Sequence, residues 1–277
     1  MKGDRWGIKD QLKNNLWLFA LSIAYIKKQG HEIVLHTDKL GKEIYGQLPY
    51  DKVFLTLNKL ENSAHEIFWA AGKLLALKAE PIESIHIDGD VFLKKPKVFD
   101  LINNSRADLI AQMIEGCICI NYSYKDSLDI VTLSLGKKTP VELNVNQNSA
   151  INCGLVKFNN PEFKKRYIDG YEKMLKICNN EHFVKRKSKH IHACPDLILE
   201  QWWLKSVLEY YNYSLQTILP DMDTERSFDK ISNTANEIGY THVVGSDKYY
   251  QIGIVKERLS EVAPELYKKV NKIISKL

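Results

Sequence analysis

Hydrophobic and polar positions along the chain follow two different periods. Apolar residues recur at helical spacing in some segments, and short apolar runs bounded by polar residues or glycine lie between them. Helices are predicted at Leu16–Lys28 (ended by Gly30), Ser63–Pro81, Phe99–Asn103, Glu162–Asn179, Pro195–Leu204 and Lys256–Leu277. Strands are predicted at His31–Thr37, within Ile82–Pro96, and at Ala107–Met113, Ala150–Phe158 and Ser214–Leu219. Helices that alternate with strands predict an α/β fold with a mostly parallel sheet flanked by helices, and the length of 277 residues suits one domain, 1–277.

Two carboxylates interrupt the apolar strand within Ile82–Pro96. Asp88 and Asp90 flank Gly89 at a place where apolar side chains would otherwise continue. In an open α/β sheet the ligand crevice lies at the carboxyl ends of the strands, and Mg²⁺ or Mn²⁺ would stabilise carboxylates gathered there. Gly89 would let the backbone turn and let a bulky ligand approach closely. A plain tight turn explains the same three residues, because Asp and Gly are common in turns.

Other polar residues lie inside apolar segments. Asn152 and Gly154 interrupt the strand Ala150–Phe158, which fits either a sugar contact or a β-bulge. Glu200 and Gln201 are embedded in an apolar helix, so at least one of them lies near its buried side and needs a partner.

Composition and charge narrow the class of protein. The net charge of +5 suits an anionic ligand and falls short of a nucleic-acid-binding signature. Five cysteines without a Cys-x-x-Cys pair argue against a disulfide framework and against a zinc site, which indicates a reducing cytoplasm. The longest apolar run is too short for a membrane span, and we expect a soluble cytoplasmic protein. The basic run 185–192 is expected to be a solvated loop.

Four polar motifs occur in an order that resembles a known family. These are Asp88-Gly-Asp90, Asn152-Cys-Gly154, Glu200-Gln201 and His242-Val-Val-Gly245-Ser-Asp-Lys248. Over most of its length the chain resembles the metal-dependent GT-A glycosyltransferases, especially the family 8 type. The segments Phe68-Trp-Ala-Ala-Gly-Lys73 and Ile85-His-Ile-Asp-Gly-Asp90 look like a bacterial, mostly uncharacterised branch of these enzymes.

The resemblance implies a GT-A-like fold and a role for each motif. Asp88, Asp90 and His242 would bind Mn²⁺ (or Mg²⁺), and Glu200 and Gln201 would be the catalytic residues beside the reacting sugar. Donor binding would fall to Lys73, Asp88, Asn152, Gly154, Gly245 and Lys248. Lys73 taken alone reads as a solvated surface lysine.

The activity implied is transfer of a sugar from a nucleoside diphosphate sugar to a glycan or other acceptor, with retention of configuration. A UDP-sugar is the first choice of donor, and polysaccharide biosynthesis is the expected setting. No nucleic-acid partner is expected, and the basic loop 185–192 could contact a membrane surface peripherally. The family normally begins with a strand that cradles the nucleotide base, whereas only the polar segment Met1–Asn15 precedes the first predicted helix here. We therefore expect that strand to be missing or replaced.

Two other functions fit parts of the sequence. Phosphohydrolases of the haloacid dehalogenase type also carry an Asp-x-Asp after an apolar strand, and here they would need Asp221 and Asp223 to complete a metal site. A relative that binds sugar nucleotides without turnover is the non-enzymatic alternative.

Overall fold

The computed structural model describes residues 10–60, 67–116, 124–144, 147–190, 193–222, 227–245 and 247–277, without the side chains at 247 and 249. The expected capping box of Ser63 and Glu66 and residues 1–9 of the polar opening lie outside the described residues.

The described strands are short and form three small sheets. They are β1 (Val34–His36), β2 (Lys52–Phe54), β3 (His86–Ile87), β4 (Val91–Leu93), β5 (Leu109–Glu115), β6 (Ala150–Phe158), β7 (Leu215–Thr217) and β8 (Tyr240–His242). Strands β1 and β2 pair in parallel, and β4 and β8 pair antiparallel. The third sheet has the order β3-β6-β5-β7, with β6 antiparallel to both neighbours and β5 parallel to β7.

Helices make up most of the remaining described structure. They are α1 (Gln11–Lys28), α2 (Lys39–Ile44), α3 (Ala71–Ala79), α4 (Pro96–Asn104), α5 (Lys125–Leu135), α6 (Pro161–Cys178), α7 (Glu181–Lys187), α8 (Pro195–Leu197), α9 (Trp203–Tyr210), α10 (Ser227–Ile238), α11 (Asp247–Val262) and α12 (Pro264–Ile274). A π-helical turn, Ile198–Trp202, joins α8 to α9.

The chain divides into two compact units. The first comprises Met1–Asn58, Asp88–Asp100 and Ala235–Leu277, and its core forms around the long apolar run of α1 together with α11 and α12. Helix α1 ends where Gly30 adopts a positive φ of 78°, a conformation that glycine tolerates without steric cost. Both two-stranded sheets belong to this unit, so β4, which follows the Asp-Gly-Asp turn, pairs with β8 at the other end of the chain.

The second unit comprises Lys59–Ile87 and Leu101–Thr234. Its core is formed by the inner strands β5 and β6, by α6, and by the helical segment from α8 to α9. Asn160 begins α6 as its N-cap, since its side chain accepts hydrogen bonds from Glu162 N and Phe163 N. The aromatic residues at four-residue spacing on α6, Phe163, Tyr167 and Tyr171, are buried in this core.

These elements confirm the α/β class and correct several details. The strand pairs are mixed, with two parallel and three antiparallel pairs among the described strands, so the mostly parallel GT-A sheet is not confirmed. The predicted C-terminal helix is two helices, because Pro264 lacks the N–H that would continue α11. The expected basic loop is helical over its first residues, which belong to α7. A single domain over 1–277 stays a prediction.

Two expectations from composition are met in the described part of the chain. Cys153, Cys178 and Cys194 are not joined in disulfides. None of the described helices combines the length and the apolar character that crossing a membrane requires.

Candidate functional site

The Asp-Gly-Asp turn lies between β3 and β4. Asp88 directly follows β3, as the sequence predicts, and Asp90 directly precedes β4. A Cβ atom on Gly89 would lie 1.9 Å from Cε1 of Phe19, so glycine is the residue that fits. The ring of Phe19 lies where a side chain at position 89 would project, and close approach of a ligand to Gly89 stays a prediction.

Strand pairing brings His242 to this turn. In the antiparallel β4–β8 ladder Val91 lies opposite His242, and Val243 N donates a hydrogen bond to the Asp90 carbonyl at 3.1 Å. His242 Nε2 lies 3.5 Å from Asp90 Oδ1. Each of these three side chains offers one ligand atom, and the three atoms, from Asp88, Asp90 and His242, lie within 4.8 Å of one another. The prediction that these three side chains gather in one place is confirmed.

Lys248 completes what we call the Asp90 cluster: Asp88, Asp90, His242 and Lys248. Gly245, in the turn after β8, has a φ of 57°, a backbone conformation that favours glycine. Helix α11 begins two residues later and carries Lys248 in its first turn. Lys248 Nζ lies 2.5 Å from Asp90 Oδ2. The spacing His-x-x-Gly-x-x-Lys therefore brings both His242 and Lys248 to Asp90.

Electrostatics favour an ionised Asp90. Burial by itself would raise the pKa of this carboxyl group. The hydrogen bond and charge of His242 and the ammonium of Lys248 outweigh burial, and they hold the pKa well below its usual range. Asp90 therefore offers a carboxylate at neutral pH.

The donor atoms of the Asp90 cluster fit a divalent cation. Two carboxylates and one imidazole are ligands that Mn²⁺ accepts, and carboxylates are preferred by Mg²⁺. Adjacent ligands of an octahedral ion with bonds of about 2.1 Å lie about 3 Å apart. The 3.5 Å between Asp90 Oδ1 and His242 Nε2 is close to that value. The ligand atoms of Asp88, Asp90 and His242 lie within 4.8 Å of one another, so small side-chain rotations would bring them to the spacing of ligands around one ion.

The second unit holds the other predicted residues in what we call the Glu200 cluster: Lys73, Asp196 and Glu200. Lys73 Nζ on α3 donates to Glu200 Oε1 at 2.9 Å, with side chains 15% and 1% exposed respectively. The ammonium also lies 5.0 Å from the centre of the Trp69 ring. The reading of Lys73 as a solvated surface residue is wrong, and the prediction that Glu200 is buried with a partner is confirmed.

One turn before Glu200, Asp196 is fully buried. It accepts hydrogen bonds from Ala70 N, which precedes α3, at 2.5 Å and from the Tyr171 hydroxyl at 3.0 Å. Burial and the charge of Asp196 raise the pKa of Tyr171 well above its usual value, so its hydroxyl stays protonated as a donor. Asp196 and Glu200 thus attach one end of α3 to the α8–α9 segment at two points.

A connected set of hydrogen bonds, which we call the Glu115 network, surrounds Gln201. Glu115 accepts from Asn152 Nδ2 at 2.5 Å and from the Tyr124 hydroxyl at 2.8 Å. Asn152 Oδ1 accepts from Gly154 N at 2.9 Å, and the Tyr124 hydroxyl also contacts the Gln201 amide.

The chemistry of these groups sets the direction of the Glu115 network. A tyrosine hydroxyl has one proton, and the carboxylate of Glu115 is its stronger acceptor. The structure places the Gln201 side-chain oxygen, which is also an acceptor, at the same hydroxyl. The Tyr124 hydroxyl therefore links Gln201 to the Glu115 carboxylate.

The predicted site residues thus form groups in two different units. Asp88, Asp90, His242 and Lys248 lie together in the first, with Gly245 in the turn between His242 and Lys248. Lys73 contacts Glu200, while Asn152, Gly154 and Gln201 are joined by the Glu115 network, in the second. Convergence of all four motifs on one cleft stays a prediction. Asp223, needed by the phosphohydrolase alternative, lies outside the described residues.

Sequence reasoning missed Glu115, Tyr124 and Asp196. Glu115 had a usable signal, since it is a carboxylate at the end of an apolar strand, the same pattern that singles out Asp88 and Asp90. Asp196 lies four residues before Glu200, which places both on one helical face. Tyr124 lies in a stretch without clear periodicity, and its partners are distant in sequence.

Comparison with known proteins shows the family of the chain. A family described as "Family of unknown function (DUF6734)" matches residues 5–273. The chain belongs to the DUF6734 family. Searches of curated proteins and of solved structures found no match. The match to DUF6734 includes both the Asp90 cluster and the Glu200 cluster.

Proposed function

We propose that this DUF6734 protein is a metal-dependent glycosyltransferase that moves a sugar from a nucleoside diphosphate sugar, with a UDP-sugar as first choice, to a glycan or other acceptor. The observation that carries the proposal is the gathering of Asp88, Asp90 and His242 from two distant segments, with Lys248 beside them. These are the residues to which the glycosyltransferase resemblance assigns the cation and the diphosphate. Retention of configuration is part of the proposal and comes from the resemblance alone.

The Asp90 cluster has the charges that a diphosphate leaving group requires. Asp88, Asp90 and His242 would hold Mn²⁺ or Mg²⁺, which when bound supplies positive charge to the diphosphate oxygens. Lys248 supplies a further positive charge beside Asp90. Charge that increases on the leaving group during bond cleavage is stabilised more in the transition state than in the ground state, which is the condition for catalysis.

Glu200 and Gln201 are assigned to the sugar carbon by the order of the motifs. A buried carboxylate and an amide carbonyl both stabilise the positive charge of an oxocarbenium-like carbon. Lys73 holds the Glu200 carboxylate in place, and the Tyr124 hydroxyl holds the Gln201 side chain. Both features suit residues that must keep one orientation during the reaction.

Calorimetry with a panel of nucleotide sugars, with Mn²⁺ or with EDTA, tests the proposal. We expect Mn²⁺-dependent binding of at least one nucleoside diphosphate sugar and slow hydrolysis of that donor without acceptor. Release of phosphate from a generic phosphomonoester would favour the phosphohydrolase alternative. Binding without turnover, even when acceptors are supplied, would favour the non-catalytic relative, and no metal-dependent binding would contradict the proposal.

Variants then separate binding from catalysis. Asp90→Ala and His242→Ala should abolish metal-dependent binding, whereas Asp100→Ala, which removes an exposed carboxylate of the same unit, should not. Glu200→Gln and Gln201→Ala should lower kcat by about 10² to 10³ with little change in KM, because they act on charge present only in the transition state. Full turnover by both variants would show that Glu200 and Gln201 are structural.

A further inference from the structure

We propose that Lys248 occupies Asp90 as an internal counter-ion, so that it competes with the divalent cation and is released to bind a diphosphate when the cation arrives. This inference rests on the metal site proposed above. It adds the exchange of Lys248 between Asp90 and the diphosphate when the cation binds. Cation and diphosphate are then bound cooperatively, and the protein discriminates against each of them alone.

The contacts of Asp90 carry the inference. Its Oδ2 atom lies 2.5 Å from Lys248 Nζ, and its Oδ1 atom faces His242 at 3.5 Å. The side chain of Asp90 is 7% exposed and that of Lys248 is 22% exposed. The ammonium therefore cancels one of the two negative charges that a cation would meet, in surroundings where solvent screens poorly.

The position of Lys248 on its helix explains why this ion pair can be exchanged. Lys248 lies in the first turn of α11, a helix of 16 residues. Positive side chains are not stabilised at helix N-termini, where the helix dipole favours anions. Asp90 thus provides a compensating charge for Lys248, and a diphosphate could replace it in that role.

Exchange links the two ligands thermodynamically. A cation that binds Asp90 competes with Lys248 for the charge of this carboxylate, and an anion that binds Lys248 frees Asp90 for the cation. Such coupling acts equally in both directions, and it is typically about 5- to 150-fold in binding constants. The chemistry of Lys248 selects an anion with several oxygen atoms, which a diphosphate has.

The direct test is Mn²⁺ affinity without nucleotide, measured by electron paramagnetic resonance on the intact protein. Lys248→Met should bind Mn²⁺ about 5-fold or more tightly than the natural protein, because the competing charge is gone. Lys248→Arg retains the charge and should not show this gain. Lys256→Met is the matched control, since Lys256 is on the same helix but lies over the Trp17 ring, 5.4 Å from its centre.

The reciprocal test is UDP affinity in EDTA, measured by calorimetry. Asp90→Asn should bind UDP more tightly than the natural protein, because Lys248 is released from its counter-ion. The double variant Asp90→Asn/Lys248→Met should lose that gain. Circular dichroism and thermal unfolding of each variant verify that it is folded.

The outcomes separate this inference from the proposed function. If the natural protein binds Mn²⁺ through Asp90 but Lys248→Met binds it no more tightly than Lys256→Met, the competition is overturned and the metal site stands. If neither the natural protein nor Lys248→Met binds Mn²⁺, the metal site fails and the inference with it. A gain in Lys256→Met equal to that in Lys248→Met would show a general effect of charge and would also overturn the inference.

Discussion

The Asp90 cluster and the Glu200 cluster contain similar side chains but arrange them differently. Each includes two carboxylates and one lysine, and each joins segments that are distant in sequence. In the Glu200 cluster the carboxylates are fully buried and hold α3 at two points. In the Asp90 cluster the lysine is partly exposed, and the ligand atoms of three side chains point to one place.

This difference separates a deeply buried ion pair from one that can exchange its partner. Removing one partner of a deeply buried pair leaves a charge that water cannot reach, so such a pair is rigid and costly to break. Lys73 and Lys248 differ little in exposure, at 15% and 22%, but Asp90 keeps His242 beside it when Lys248 leaves, so this pair can exchange at a lower cost. The Asp90 cluster is therefore suited to ligand exchange, and the Glu200 cluster is suited to fixing side chains in place.

The largest expected effect is that of Glu200→Ala on stability. It should lower the free energy of unfolding by about 3–5 kcal/mol, because it removes the carboxylate that pairs with Lys73, whose side chain is only 15% exposed. Urea denaturation measures the change. Glu172→Ala is the matched control, since Glu172 pairs with Lys78 of the same helix α3 but both side chains are exposed, and it should cost about 1 kcal/mol or less. Equal costs would contradict the distinction drawn between the clusters.

Gly89→Ala should disturb the Asp90 cluster through packing rather than charge. The added Cβ would meet the Phe19 ring, and overpacking of this kind costs about 1–3 kcal/mol. Thermal unfolding should show the loss, and the double variant Phe19→Leu/Gly89→Ala should regain much of it. Gly253→Ala on α11, where a Cβ meets no atom within 4 Å, should stabilise the protein slightly. A neutral Gly89→Ala would show that Phe19 moves freely.

Asp108 shows a lowered pKa that arises from hydrogen bonds instead of a cation. It accepts hydrogen bonds from Ser214 N at 2.8 Å, from Ser214 Oγ at 2.7 Å and from Asn160 Nδ2 at 2.8 Å. The hydrogen bond from Ser214 N makes the largest contribution to the lowered pKa, followed by that from Asn160. Because the folded pKa is below the unfolded value, the stabilisation is present above about pH 4 and is lost as the pH falls through the folded pKa.

Asp108→Asn should therefore cost stability in a pH-dependent way. At pH 7 we expect a loss of about 1–2 kcal/mol, reduced by solvent screening from the value for a buried charged hydrogen bond. The difference between natural and variant proteins should shrink as the pH falls below about 4, and it should vanish below the lowered folded pKa, where both side chains are neutral. Urea denaturation at pH 7, 5 and 3 measures it. A difference that stays constant with pH would assign the loss to shape and not to charge.

The smallest effect is expected for Lys248→Met in metal-free protein. It should cost less in free energy of unfolding than the variants above, since His242 remains beside Asp90. Saturating Mn²⁺ should raise the melting temperature of this variant, because a ligand that binds only the folded state stabilises it. Lys73→Met is the comparison, and it should cost more and gain less from Mn²⁺. If Lys248→Met cost more and gained less from Mn²⁺ than Lys73→Met, the Glu200 cluster would be the one suited to ligand exchange.

Local chemistry let the sequence predict many elements and candidate residues. Continuous apolar residues predicted α1, and the periodic aromatic residues predicted α6 and its buried face. The sequence also indicated the break of the apolar pattern at Asp88 and Asp90 and the buried position of Glu200, because these charged residues lie among apolar neighbours. The mixed pairing of the strands could not be predicted from the sequence, because the partner of a strand depends on residues far along the chain.

The sequence by itself determined which side chains are available, in what order and in which local elements. Only the tertiary structure decided their partners: the β4–β8 pairing placed His242 beside Asp90, and packing joined Lys73 to Glu200 across 127 positions. It also packed the ring of Phe19 against Gly89, on the side where a Cβ atom would project. The physical reason is that an isolated carboxylate or lysine is equally stable with many partners in water. Burial removes the water, and it leaves each charge with the groups that the fold brings within a few ångströms.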